Sequence, residues 1–589
     1  FTVGIIHFGK SALKSLSTGI PNMDVLVATG FTAAFFYSIA GSIMYFGTPD
    51  VHKYLFYETS ATIITLVLLG NVLEQRSVKR TTTAIMELSE IQAKKASKII
   101  LGKGEEVVVE VDPVNLKKGD IVLVNSGDKI PADGFIIKGY GSIDESMISG
   151  EGLPVEKIEG DPVIGGTLST TGSLRIKITE VGEGTVLSGI IEMVKKAQQN
   201  KPAIQRLGDQ VSAVFVPSVM AIALGTFFIS HFAFDISMQK ALMSSVAVLV
   251  ISCPCAMGLA TPTAIMAGIG RAAQSGILIK GGSTLEDFAK IKNIVFDKTG
   301  TLTTGKFKIK SINCYNGTDL KLVKDVLYNL ELHSSHPIAK SIQEQLKNEA
   351  SPIELNNLEE VKGVGVKGTG RDGNIYEAGS FRIAGKQTAE DFHSIYLLKN
   401  KVLIATVDVE DEIKYNAAET IISLKKQGIK TVLLSGDREE RCRNMANTIH
   451  IETVYSEKLP DQKMDIISEL NQTAPTCMVG DGINDAPALA LASVGISLGN
   501  ATQAAIQSSQ IVLLRGDDLL IINHALQISK HTYLTIKQNL FWAFFYNVVA
   551  IPIAAMGLLN PMVGALAMAF SDVIVIGNSI RLKSKKISY

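Results

Sequence analysis

Asp297 closes the apolar stretch KNIVF and is followed by Lys298 and Thr299 in DKTGTLT. Two further apolar stretches end in the same way, TVLLSGD at Asp437 and TCMVGDGINDAP at Asp481 and Asp485. In open parallel sheets ligands bind beyond the carboxyl ends of the strands. Carboxylates on adjacent strand ends can hold Mg²⁺, which prefers oxygen ligands and substrate phosphates. Aspartate beside glycine is also an ordinary turn residue, but three acidic strand ends in one sheet outweigh that reading. A second constellation is Cys253-Pro254-Cys255, inside the uncharged run Ala241 to Ala267. Pro254 cannot donate to the carbonyl of Val250 and should kink or unwind a helix there. Residues two apart on a regular helix point to different sides, so the break lets both thiols face one ion. Unwound backbone at membrane depth is tolerated where it lines a cavity. The plain alternative is a pair of inert buried thiols; a proline that weakens the helix argues against it. Thiolates select soft ions such as Cu(I), and they also suit zinc.

These residues need a membrane and a sheet to hold them. The chain has 589 residues, too many for one ordinary domain, and its formal net charge is zero, which gives no pull towards nucleic acid. Five cysteines show no paired framework. Six apolar runs approach the ~20 residues of a bilayer span: Met23 to Phe46, Leu55 to Leu73, Val211 to Phe232, Ala241 to Ala267, Leu540 to Leu559 and Pro561 to Ile580. Arg76, Lys79 and Arg80 follow the second run, and Arg581, Lys583, Lys585 and Lys586 follow the sixth, whereas the alternate loops are short and nearly free of basic residues. The positive-inside rule then places both long polar regions and the C-terminus in the cytosol of a multi-pass cell-membrane protein.

The spacing predicts an amphipathic N-terminal helix and two spans over 1–92, and a β-rich insert over 93–194 with runs such as EEVVVEV. Two spans with the cysteines follow over 195–275, and the last two spans with the tail occupy 519–589. Between them, strand and helix patterns alternate over 276–305 and 402–518, as in a doubly wound α/β domain, interrupted by a domain of different texture over 306–401. Because the chain opens on Phe1 without a signal-peptide pattern, it is read as missing its own N-terminus.

DKTGTLT and GDGINDAP together resemble the P-type ATPases, over essentially the whole chain, and HSSHPIAK with KGVGVKGTG resembles the nucleotide-binding domain of their heavy-metal members. The resemblance implies a Rossmann-type, HAD-like phosphorylation domain, an inserted α+β nucleotide-binding domain and a β-rich actuator domain on a helical membrane bundle. It makes Asp297 the nucleophile that takes the γ-phosphate of ATP. Mg²⁺ would lie between Asp297, the backbone of Thr299 and Asp481, and Lys463 would offset phosphate charge. Ser435-Gly436-Asp437 stands where the family usually has Thr-Gly-Asp. Ser149-Gly150-Glu151 resembles its Thr-Gly-Glu loop, in which Glu151 would orient the water that cleaves the aspartyl-phosphate. Glu331 and His336 would contact the adenine end of ATP, and Gly363 and Gly365 would let the backbone approach it. Ser335 and Ser380 replace the Glu and Asn common in the family.

CPCAMGLATPTA, Tyr546-Asn547 and Met568 with Ser571 resemble the copper(I)-exporting subclass. The implied Cu(I) ligands are Cys253, Cys255, Tyr546, Asn547, Met568 and Ser571. Met23, Glu74 and Asp209 would serve uptake and Glu58 release, although charges at helix ends are also ordinary interfacial residues. Asp572 departs from the pattern, replacing a second serine. The N-terminal piece would form a platform for a cytosolic copper chaperone, with the first helix and any soluble metal-binding domain outside this chain. The expected protein is a monomeric, ATP-driven exporter of Cu(I) and Ag(I). Its rivals are a Zn(II)/Cd(II) pump, disfavoured by Met568, and a membrane-tethered phosphatase of the same α/β fold.

Overall fold

The computed structural model describes residues 1–19, 21–90, 93–102, 105–145, 154–188, 202–252, 255–334, 337–361, 364–384, 393–482, 485–499 and 503–585. Among these, six helices are long and apolar enough to cross a membrane: Met23–Met44, Pro49–Val72, Ala213–Ala233, Met238–Gln274, Leu520–Ala555 and Pro561–Arg581. Two run well past the apolar segments that announce them. The helix Tyr57–Glu90 has 34 residues and Leu520–Ala555 has 36, so the second and fifth spans are ends of longer rods. The apolar run marks only the membrane portion. No Gly or Pro stops the helix between Glu74 and Glu90 or between Leu520 and Asn539, and polar helix formers there let the backbone ladder continue.

Phe8, Val27, Phe31, Ile63, Val67, Val246, Val250 and Met568 form one buried cluster, drawing the N-terminal segment and four of the spans together. The N-terminal segment is helical, with Thr2–Gly4 and Lys10–Ser17 flanking a wider π turn at Ile5–Gly9. It is tied to the first span by polar side chains. Ser15 Oγ donates to Asn22 Oδ1 at 3.0 Å, and Asn22 Nδ2 donates to Ser11 Oγ at 3.0 Å and Asp24 Oδ2 at 3.1 Å. In the fourth span, helix Met238–Ile251 ends at Ser252, whose Oγ donates to the Val248 carbonyl at 2.6 Å, and helix resumes at Cys255–Gln274. Cys253 and Pro254 lie outside the described residues.

Three larger sheets lie outside the membrane helices. The first, antiparallel, runs Glu105–Val111, Ala96–Gly102, Ile121–Asn125, Ser173–Glu180, Asp133–Lys138, Pro162–Val163, and buries Val122, Val124, Ile136, Leu174 and Ile176 on one face. The second has seven strands in the order Ile277–Ile279, Ile511–Leu513, Val494–Leu498, Thr476–Gly480, Asn293–Phe296, Lys430–Leu434, Thr453–Tyr455. It is parallel except where Ile277–Ile279 meets Ile511–Leu513. Strand Asn293–Phe296 sits in its middle, where the chain turns from one side of the sheet to the other, so Asp297 emerges at a topological switch point.

The third sheet moves a boundary. Its order is Thr303–Cys314, Val402–Ile413, Ile395–Lys399, Ile375–Gly379, Gly365–Gly370, Leu355–Val361, all antiparallel. Residues 402–413, expected in the parallel sheet, instead pair with the inserted domain. The reason is the two-residue turn Asn400-Lys401, with φ of 50° and 66°. Consecutive positive φ values make a tight hairpin whose twist suits the flanking strands, so Val402 must run back along Ile395–Lys399. Lys401→Gly should relieve the left-handed strain and raise the stability of this sheet by about 1 kcal/mol. Thermal unfolding of the full chain should show a later transition in the variant; an earlier one would contradict the turn assignment.

Candidate active site and ion path

Asp297 follows the fully buried strand Asn293–Phe296 and caps the turn behind it: its Oδ2 accepts from Thr299 N at 3.1 Å. Gly300, at φ +71°, closes that turn against Asp481, whose carboxylate occupies the space a Cβ would need. Lys463 comes from helix Pro460–Thr473 and is itself buried. Its ammonium donates to Asp297 Oδ1 at 2.5 Å and to Asp485 Oδ1 at 2.8 Å. Oxygens of Asp297, Asp481 and Asp485 lie within 4.8 Å of one another.

The electrostatics follow from that count. Burial pushes the Asp297 carboxyl up to about 6, and the neighbouring Asp485 adds to the shift in spite of the lysine. Asp481 is likewise raised to about 6, by burial and then by Asp485. The partner reads in the opposite sense: the carboxylates overcome the cost of burying Lys463 and raise its pKa. Together these mean more negative charge than one ammonium neutralises. A hard divalent cation fits the excess, because the donors are oxygens only and are already gathered. Asp437 stands apart from this cluster, paired with Lys298, which holds its carboxyl below the ordinary value despite burial. Ser435 Oγ accepts from Asp437 N at 3.1 Å and shapes that turn, with Gly436 between them.

Two residues in this neighbourhood carried no motif. Lys414 donates to the carbonyls of Gly300 at 3.0 Å and Gly516 at 2.7 Å, and burial lowers its pKa to about 8. Asp411 accepts from Thr303 Oγ1 at 2.5 Å and from Gly305 N at 3.1 Å. Both hold the turn after Asp297 from the far end of strand Val402–Ile413. The available signal was positional, a lysine just before the helix Ala417–Lys426.

In the inserted domain, Glu331 is buried and lines a cavity of about 220 Å³ with Gly365, Gly379 and Ser380. Gly365 has φ +154°, and a Cβ there would overlap the Ala378 carbonyl, so only glycine fits that close strand pairing. In the membrane, Asn547, Met568, Ser571 and Asp572 are all buried. Asn547 Nδ2 donates to the Ala543 carbonyl at 3.2 Å. Tyr546 is within interaction range of Asn547, Ser571 and Asp572, which gathers the fifth- and sixth-span residues. Asp572 also faces the second span, where a Cβ on Gly70 would lie 3.8 Å from its Oδ2. Met23 begins the first-span helix and packs on the cluster containing Met568. Glu58, expected inside the apolar run Leu55 to Leu73, is exposed in the first turn of Tyr57–Glu90. The helix begins only at Tyr57, where acidic residues favour the N-terminal end of the helix dipole. Glu74 and Asp209 lie on helices Tyr57–Glu90 and Ala203–Phe228, their side chains outside the description. Cys255 opens its helix. Gly150, Glu151, Cys253, His336 and Gly363 lie outside the described residues.

Comparison with known proteins agrees with this geometry. Residues 90–195 match the P-type ATPase actuator domain, and residues 291–493 match the haloacid dehalogenase-like hydrolases. A copper-exporting P-type ATPase of Staphylococcus haemolyticus is 42% identical over 99% of this chain and 74% of its own length. One of Staphylococcus aureus is 41% identical over 99% and 73%. A crystal structure of a zinc-transporting PIB-type ATPase in the E2.Pi state superposes with a TM-score of 0.65 at 26% identity, covering 99% of this chain and 94% of that one. The chain belongs to the P-type ATPase family.

The crowded carboxylates make a signed prediction. Asp297 and Asp481 have folded pKa values raised to about 6 from the ordinary 3.8. Folding therefore favours their protonated forms, and the stability they contribute is fullest below about pH 4 and falls as pH rises through about 6. Mg²⁺ should then raise the unfolding midpoint more at about pH 7.5 than at about pH 5. Asp481→Asn should lose most of that difference.

Proposed function

We propose that this P-type ATPase uses ATP to export Cu(I), and also Ag(I), out of the cytosol. The reading is carried by one observation: Met568 is buried in one cluster with Val246 and Val250, in the last two turns before the Cys253-Pro254-Cys255 break. A thioether is a soft donor, and thiolates from that break would extend the same soft set. Relatives 42% identical over nearly the whole chain are named copper-exporting P-type ATPases, which supports the same choice. Tyr546, Asn547 and Ser571 complete the proposed ligand region. Met23, Glu74 and Asp209 serve uptake and Glu58 release. The large domains and the C-terminus face the cytosol, as the basic residues after the second and sixth spans favour. The N-terminal helix, with Leu13 and Leu16 exposed, is where a copper chaperone would dock.

The chemistry is phosphoryl transfer to a carboxylate and then to water. ATP binds with its base in the inserted domain, against Glu331, His336, Gly363 and Gly365, and its γ-phosphate at Asp297. An Asp297 carboxylate oxygen attacks the γ-phosphorus; the bond to the β–γ bridging oxygen breaks, and ADP leaves with that electron pair. Lys463 keeps Asp297 aimed and balances charge, assisted by Lys298, whose position Asp437 sets. Asp297, Asp481 and the Thr299 backbone would hold Mg²⁺, which would supply positive charge to the phosphate oxygens. Asp485 orients Lys463. In the second half of the cycle Glu151, presented beside Gly150, takes a proton from water as that water attacks phosphorus, and the Asp297 oxygen is released.

Asp297→Asn should abolish both the acid-stable phosphoenzyme and transport, whereas Glu151→Gln should let phosphoenzyme form from ATP and accumulate. Phosphorylation with radiolabelled ATP separates the two. ATPase activity under reducing conditions should rise with Cu(I) or Ag(I) and not with Zn(II) or Cd(II). Cys253→Ser should lose that stimulation while still binding ATP. Stimulation by Zn(II) alone would overturn the copper assignment.

A further inference from the structure

The cavity in the inserted domain contains a second carboxylate that no motif marks. Glu360, one residue before the end of strand Leu355–Val361, lines the same cavity as Glu331. Ser334 Oγ donates to Glu360 Oε1 at 2.8 Å, and the serine is itself buried. One oxygen of Glu360 is thereby fixed, which leaves the other to accept a hydrogen from a ligand. Such a tethered acceptor costs little additional ordering when it binds.

We propose that Glu360 is a specificity-determining residue for the nucleotide base, accepting a hydrogen bond from the exocyclic amino group of adenine while Glu331 meets the neighbouring ring nitrogen. The inference rests on the reading of this domain as nucleotide-binding and names how that site chooses its base. Adenine presents an amino donor beside a ring-nitrogen acceptor; guanine presents a carbonyl acceptor beside a ring N–H donor. A fixed carboxylate opposite the amino position pairs with the first and repels the second. Sites built to receive an N–H group reject analogues lacking it, because the buried partner is left unsatisfied.

The two carboxyls suit their different tasks. Burial and the charge on Glu360 push the Glu331 carboxyl up to about 7, so near neutrality it can carry the proton that a ring-nitrogen acceptor needs. Glu360 is the exposed member of the pair and lines the same cavity. Gly365 and Gly379, paired across two strands, keep the wall beside them free of side chains.

The test is equilibrium binding of two probes to the full-length protein: ATP, and purine riboside triphosphate, which lacks only the amino group. Glu360→Ala should weaken ATP roughly ten-fold, the scale of one hydrogen bond to a charged group, and leave the purine analogue within about two-fold. Glu360→Gln, which keeps an acceptor, should retain most of the ATP preference. Equal weakening of both probes, or no weakening of ATP, would overturn the proposal. Two control variants, Glu331→Ala and Ser380→Phe (which fills the cavity), separate this failure from a deeper one. If they weaken ATP while Glu360→Ala does not, only the role of Glu360 falls. If neither weakens ATP, the base lies elsewhere and the nucleotide-site reading fails with it.

Discussion

Lys463 between Asp297 and Asp485 is the contact on which the catalytic region depends. All three groups are buried, and a buried ion pair repays its desolvation only when geometry and further hydrogen bonds are good. Here one ammonium serves two carboxylates directly, and Asp481 stands close by without it. The arrangement keeps the reactive oxygen of Asp297 in place while leaving a deficit of positive charge. That deficit suits a site that must receive a cation and a polyanion together. Parallel strands supply the rigidity: Asn293–Phe296 is paired on both sides, so its carboxyl end has little freedom.

Coupling to the membrane runs through shared helices. Ile521, Ile522, Ala525 and Leu526, at the start of the helix that becomes the fifth span, belong to the same buried core as Leu285, Phe288 and Phe296. Ala264 to Ala272, at the end of the fourth-span helix, enter that core as well. The third span is attached differently: Glu286 accepts from Ile204 N at 3.1 Å, capping the helix start, and also pairs with Lys290. Leu187, near the end of the β-rich domain, packs on Ala273, Leu278 and Val512. A rearrangement at Asp297 therefore has stiff levers into the spans that bear the cysteine break, the kind of rigid-body gating by which such machines switch access.

Inside the bundle, polar contacts concentrate where the fourth, fifth and sixth spans meet. Asn539 Nδ2 reaches the Ala260 carbonyl at 3.2 Å and Ser579 Oγ at 2.9 Å, and Thr263 meets Ser579 at 3.0 Å. Interhelical hydrogen bonds of this sort hold register in lipid, where burial of apolar surface does not distinguish one helix face from another. Asp572, one residue beyond Ser571, is a buried carboxylate that faces Gly70 of the second span. A charge in that setting is costly and as a rule functional.

What the sequence determined by itself was local and periodic. Six apolar runs, the strand-ending aspartates, the β-rich insert and the Cys-Pro-Cys break are all written in short stretches, because hydrophobic period, proline and acidic strand ends act on near neighbours. Helix lengths past the lipid were not legible, since nothing stops a helix where its apolar run ends. The sheet to which Val402–Ile413 belongs turned on two residues, Asn400 and Lys401, whose positive φ appears only once the strands pair. Tertiary structure alone decided that Lys463 contacts Asp297 and Asp485, that Lys414 and Asp411 brace the turn after Asp297, and that Glu360 lines one cavity with Glu331. Each of these contacts joins residues far apart in the chain or on separate strands. Their energy comes from burial and charge in a shared cavity, and no stretch of sequence carries that information until the fold has closed around it.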